Sequence, residues 1–129
     1  MRDSYSDVGF TQSLAPAARN ASANGTGVDV NGYSGAVFVI GVGAWTDGTH
    51  TFDMQESDDN STFTSVAAGQ LQGAEPVVSS APTASKVYKV GYLGTKRYLR
   101  VAVTVAGATT GAVYGAVVLL GHAATKPVA

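Results

Sequence analysis

The sequence predicts an all-β fold, an antiparallel β-sandwich, and three observations lead there. Val, Thr, Tyr and Phe recur from Val28 onward, with Gly, Asn, Asp and Ser marking the breaks between them. No segment sustains a helical period. The 16 glycines suit turns and bulges and penalise helices. Several short strands with regular turn signals fit a sandwich or barrel. A jelly roll is the preferred form, with a fibronectin-like or other sandwich left open.

Residues 1 to about 27 read as an irregular N-terminal arm. "SLAPAARNASANGTG" is small and polar, is broken by Pro16, Gly25 and Gly27, and carries neither period. It is either a frayed terminus or an extension ordered against a neighbouring subunit. Residues 28–129 read as a single sandwich domain. "GVDV" is a short first strand, and Asn31-Gly32 signals a turn. "SGAVFVIGVGAW" is apolar without alternation, which suits a strand buried on both faces. Asp47-Gly48 signals the next turn. "HTFDMQES" then alternates, with Phe52, Met54 and Glu56 on one face and Thr51, Asp53 and Gln55 on the other. "FTSV" alternates again. "AAGQLQGAEPVVSSAPTAS" reads as a long connection, since Pro76 and Pro82 argue against central strand positions. "KVYKVGYL" resumes the strands. In "KRYLRVAVTVAG", Leu99, Val101, Val103 and Val105 oppose Tyr98, Arg100, Ala102 and Thr104. "AVYGAVVLLGH" closes the chain, with Val113, Val117 and Leu119 sharing a face with Gly115.

Composition narrows the function. The chain has 129 residues and a formal net charge of −1. That length fits one domain with a real core. The near-neutral charge offers nothing for a polyanion, so no nucleic-acid partner is expected. Charged residues are only 13%, about half the usual share of about 25%. Such a surface is apolar, and apolar surfaces tend to be covered by partners. With no cysteine, disulfides and thiolate chemistry are excluded. "MRDSYSDVGF" holds no apolar run of the secretory kind, and "GAVYGAVVLLG" is far short of a bilayer span. The expectation is a soluble protein made in a cytoplasm, with the glycosylation-like triplets at Asn20, Asn24 and Asn60 arising by chance.

"FDMQESDDNSTFTSV" concentrates Asp53, Glu56, Asp58 and Asp59 among nine acidic residues. A calcium loop needs acids at alternating positions, a central Gly and a distant Glu, and this register has none of that. Asp58 and Asp59 are adjacent, so in a strand they point apart. Paired-carboxylate hydrolysis needs two acids across a cleft, yet Asp53 and Glu56 fall on opposite faces, and nothing in the sequence places Glu75. Ser34 in "GYSGA" is not a nucleophile elbow. "GVGAW" lacks the third glycine of a dinucleotide loop. His50 and His122 read as surface or strand-end residues. The acidic run reads as a hairpin loop, because Asp and Asn bond their own backbone and tolerate left-handed conformations. Phe52 and Met54 then return to Phe63 and Val66 as core. No catalytic, cofactor-binding or metal residue is assigned, no cofactor is expected, and the chain is read as not an enzyme.

"HTFDMQESDDNSTFTSV", "VYKVGYLGTKRYLRVAVTVAG" and "AVYGAVVLLGH" together resemble small structural proteins of tailed-bacteriophage virions. The shared pattern is Q-x-S-D-D-x-x-x-F-x-x-V followed by Y-x-G-x-x-R-Y-x-R-V, and it covers roughly residues 28–122. The resemblance implies a head-decoration or cement protein on the capsid surface. It further implies a jelly-roll or sandwich fold, a homotrimer, the major capsid protein as partner, and no membrane. A tail or head–tail connector subunit is the alternative within that class. The hairpin also resembles one in discoidin-like carbohydrate-binding sandwiches, which carry Trp where this chain has Phe63. Charge falls in two blocks, acids from Asp47 to Asp59 and bases from Lys86 to Arg100. They either form two solvated hairpins or pair between subunits.

Overall fold

A computed structural model describes residues 3–124 of the chain. The strands are β1 (Gly9–Arg19), β2 (Ala23–Asn24), β3 (Val28–Asp29), β4 (Tyr33–Trp45), β5 (Thr49–Ser57), β6 (Thr64–Ser65), β7 (Leu71–Gln72), β8 (Val77–Val78), β9 (Lys86–Tyr92), β10 (Tyr98–Ala106) and β11 (Ala112–Ala123). They form two sheets that pack face to face. Sheet I has the order β1-β11-β4-β9-β7; sheet II has β2-β10-β5-β6, with β3 also on β10 and β8 also on β5. Every pairing is antiparallel.

The pairings nest. β1 pairs with β11, β2 and β3 with β10, β4 with β9, and β5 with β6 and β8. The chain is thus one long hairpin with its tip at β5–β6. Rolling that hairpin lays β4 beside β11 and β5 beside β10. This is the jelly-roll topology.

The core lies between the sheets. Phe38 and Ile40 of β4, Phe52 and Met54 of β5, Leu99 and Val101 of β10, and Tyr114 and Val118 of β11 are at most 1% exposed. Each such side chain contributes about 1.5–3 kcal/mol on burial. The alternation expected in "HTFDMQES" and "KRYLRVAVTVAG" is present, with the apolar face inward.

Two long strands depart from expectation, and the two-residue β2, β7 and β8 lie in segments read as irregular or as a connection. The sequence predicts an irregular segment over residues 1 to about 27, yet Gly9–Arg19 is an edge strand on β11. Its period is hidden because the register shifts twice, between Gln12 and Leu14 and again between Leu14 and Ala17. Bulges break alternation, and Pro16 sits in the second one, on an edge strand, where a missing N–H is tolerated. Ser13 and Leu14 are buried. Ser13 Oγ accepts the Val101 N–H at 3.0 Å and donates to the Thr26 carbonyl at 2.9 Å. The Ser13 carbonyl accepts the Thr26 N–H at 2.6 Å. One residue thereby ties β1 to sheet II and closes that side of the sandwich.

The second departure is β4. Its apolar run predicts burial on both faces. Ala36, Phe38, Ile40 and Val42 are buried, but Gly35, Val37, Val39, Gly41 and Gly43 face away from the core, half-buried or exposed.

Candidate assembly surface and the acidic hairpin

The acidic run forms a hairpin, as its turn chemistry predicts. Gln55 and Glu56 of β5 pair with Ser65 and Thr64 of β6. The loop is built from its own side chains. Ser57 Oγ donates to Asp59 Oδ1 at 2.9 Å and accepts the N–H groups of Asp59 and Asn60 at 3.2 and 3.0 Å. Asp59 Oδ1 also accepts the Ser61 and Thr62 N–H groups, each at 2.9 Å. These backbone donors hold the Asp59 carboxyl below the usual carboxylate range. Asn60 takes the left-handed conformation at φ 59°.

The other acids go separate ways. Asp58 pairs with Lys96 Nζ at 2.8 Å on the surface. Asp53 accepts from Gln55 Nε2 at 2.8 Å and Ser65 Oγ at 2.7 Å on the outer face of sheet II. Glu56 accepts from the Tyr92 hydroxyl at 2.7 Å, on the opposite face. Burial, and after it the Glu56 carboxylate, push the Tyr92 phenol up. Glu75, unplaced by the sequence, accepts the Met54 N–H at 2.6 Å. It fills the gap along β5 between β6 and β8, as a missing strand would. Burial and then the neighbouring Asp53 charge raise its pKa, against the Met54 N–H that lowers it. Phe63 does not join the core; it is half-buried, with the Arg100 guanidinium 4.2 Å from its ring centre. Arg97 bonds Asp29 through two nitrogens at 3.0 and 2.9 Å. Lys96 thus joins the two charge blocks through Asp58, whereas Arg97 pairs with Asp29, outside the acidic block.

His50 corrects its expectation as a surface or strand-end residue, because its ring is fully buried. Nε2 lies 3.0 Å from the Asp47 carbonyl, which can only accept, so Nε2 carries the proton. Nδ1 therefore accepts from the Tyr114 hydroxyl at 2.9 Å. Burial pushes Tyr114 up to about 12. The Asp47 side chain reaches the next loop, where Oδ1 accepts the N–H groups of Thr109, Thr110 and Gly111 at 3.1, 3.1 and 2.6 Å. These donors, Gly111 foremost, hold its carboxyl below the usual range. Gly111 has φ 85°, and a Cβ there would run into the Arg19 carbonyl. His122, at φ 51°, is exposed at the end of β11. Ser34 is an exposed residue of β4. Each carboxylate of the hairpin thus has a partner within the chain: Asp59 caps the loop, Asp58 pairs with Lys96, and Asp53 and Glu56 accept from side-chain donors.

The unusual surface lies elsewhere. The outer face of sheet II is polar, with Thr51, Asp53, Gln55, Arg100 and Thr104 on β5 and β10. The outer face of sheet I is mostly apolar, with Gln12 and Lys89 among its aliphatic residues. In register, Val37 lies opposite Leu119, Val39 opposite Val117, Gly41 opposite Gly115 and Gly35 opposite Gly121. Phe10, opposite Leu119, is 62% exposed, and Val87, opposite Gly41, is 74% exposed. Four aliphatic side chains make a central ridge, with glycine-floored hollows at both ends. The hollow over Gly41 and Gly115 has about 320 Å³ and the one over Gly35 and Gly121 about 510 Å³. A solvated sandwich face alternates apolar-in with polar-out. This face does not. Its signal in the sequence was the unbroken apolar run of β4.

No protein-family model matches the chain, and no curated protein matches it in sequence.

Proposed function

We propose that the chain is a non-enzymatic structural subunit of a tailed-bacteriophage virion. In this reading it is a capsid decoration or cement protein that binds the outer head surface and stabilises contacts between capsomers. Its partner is the major capsid protein, its assembly form a homotrimer, and its place the capsid surface, reached from the host cytoplasm during assembly. The observation that carries the reading is the uncovered apolar face of sheet I. The hairpin and strand motifs that resemble virion proteins support it. The jelly roll adds an analogy at fold level, since viral capsid domains use it alongside lectins and cupins. A sugar-binding role lacks its platform. Trp45 donates its indole N–H to the Gly48 carbonyl at 2.9 Å and packs on the core.

The mechanism is mass action. A subunit that binds only the assembled shell stabilises it in proportion to occupancy. The test is deletion of the gene from its phage. Particles should still form but should release their genome at a lower temperature, and purified protein added back should restore the wild-type value. Wild-type virions that lack the chain, or mutant particles of unchanged stability, would overturn the proposal.

A further inference from the structure

We propose that Asn31 is a site of spontaneous deamidation, an intramolecular reaction that consumes only water, whereas Asn24, in the same Asn-Gly dipeptide, is protected by the fold. The inference is independent of the subunit reading.

The reaction is a ring closure. The Gly32 nitrogen attacks Asn31 Cγ, so that an N–Cγ bond forms and the Cγ–Nδ2 bond breaks. The side-chain nitrogen leaves as ammonia, taking up the proton that the Gly32 amide sheds. Water then opens the cyclic imide. Attack on the side-chain carbonyl leaves aspartate; attack on the main-chain carbonyl leaves isoaspartate, whose chain runs on through Cβ. Closure needs a following residue with no Cβ in the way, and a peptide unit free to swing until its nitrogen reaches Cγ.

The sequence meets the first condition at Asn24-Gly25 and at Asn31-Gly32. The structure separates them on the second. Val30 to Tyr33 form a turn closed by the Tyr33 N–H on the Val30 carbonyl at 3.1 Å. Within it only Gly32 has positive φ, 92°, as a type II turn requires. The Asn31 N–H donates to Asp29 Oδ1 at 2.9 Å, and the Gly32 carbonyl accepts the Ala124 N–H at 2.8 Å, so the turn is anchored on both sides. Between these anchors the Asn31 carbonyl, the Gly32 N–H and the Asn31 side-chain amide have no hydrogen-bond partner among the described residues. That peptide unit can swing. Asn31 also borders a hollow of about 320 Å³ with Lys96 and Arg97, polar and large enough for water.

Asn24 is exposed as well, so exposure does not distinguish the two. Its following N–H does, because Gly25 donates to the Val101 carbonyl at 2.8 Å. A Cβ on Gly25 would meet Ser13 Oγ and the Val101 carbonyl at 2.5 Å, whereas one on Gly32 would meet nothing within 4 Å. The Asn24–Gly25 peptide can swing only if β2 peels from β10. Asn60 is held likewise, since the Ser61 N–H donates to Asp59 Oδ1, and the Asn20 amide is spent on the Thr109 carbonyl. Deamidation at Asn31 adds a carboxylate to a hollow whose two cations are already matched by Asp58 and Asp29.

The experiment holds the purified full-length protein in mildly alkaline buffer and samples it over time. Ion exchange follows the acidic form, and peptide mapping with backbone fragmentation assigns it to a residue. Folded protein should convert at Asn31, with Asn24 at least about tenfold slower, the effect of about 1.4 kcal/mol of local opening. In denaturant the two rates should converge, which shows that the fold and not the dipeptide sets the difference. N31Q, which could close only a larger ring, should lose the acidic form that arises at this turn. Equal rates at Asn24 and Asn31 in the folded protein would overturn the proposal. So would an Asn31 that stays intact while the denatured chain converts, or an acidic form that accumulates in N31Q at the wild-type rate.

Discussion

Asp47 joins two loops with one carboxylate, and its effect should be visible in acid. Its folded pKa is depressed, so the unfolded chain takes up the proton first as pH falls. The stability it contributes is complete above the ordinary Asp range near about 4 and is lost as pH falls through the lowered folded value. D47N keeps an oxygen for the Gly111 N–H but cannot titrate. Melting temperature plotted against pH should therefore lose part of its acid limb in D47N, and a limb as steep as that of wild type would contradict this. Tyr114→Phe removes the donor to His50 Nδ1 and leaves a buried acceptor unpaired. It should cost about 1–2 kcal/mol in denaturant unfolding at neutral pH. The role of Asp59 was legible because turn chemistry is local, whereas Asp58 pairs with the distant Lys96. His50 also left a signal, since it shares parity with Phe52 and Met54 in the alternation of β5. A titratable ring beside a turn simply invites the surface reading.

At the scale of the element, β1 is the instructive case. Its hydrophobic pattern is scrambled by two register shifts, so no window of its sequence shows a period, although Leu14 is as buried as the centre of β11. The β5–β6 hairpin was legible for the opposite reason, because its strands alternate and its loop residues satisfy one another. Ser13→Ala leaves the Val101 N–H without an acceptor and frees the Thr26 carbonyl. We expect a loss of about 1–3 kcal/mol, read from chemical denaturation. Removal of residues 1–19 should do far more than trim a terminus. It strips β1 from β11 and exposes a long edge, so the truncated protein should lose its cooperative thermal transition. A truncated protein that melts like the full chain would mean that β1 is dispensable.

For the whole molecule, the sheets were legible in kind but the order of their strands was not. Alternation reports which residues share a face, whereas partner choice is decided by contacts far apart in sequence, such as Gly9 with Leu120. The unbroken apolar run of β4 predicted burial on both faces. What the single chain supplies is cover for only one of them. Non-local pairing also sets the folding rate, because loop closure must precede the contacts that reward it. Refolding should take milliseconds to seconds in stopped-flow fluorescence, and a sub-millisecond phase with full amplitude would be inconsistent with this topology. The β1–β11 ladder carries that logic into biosynthesis. Strand β1 leaves the ribosome first and its partner last, with about 100 residues between them, a wait of roughly 5–20 s at about 5–20 residues per second. Throughout that interval the nascent chain cannot close sheet I, and the apolar β4 stands open.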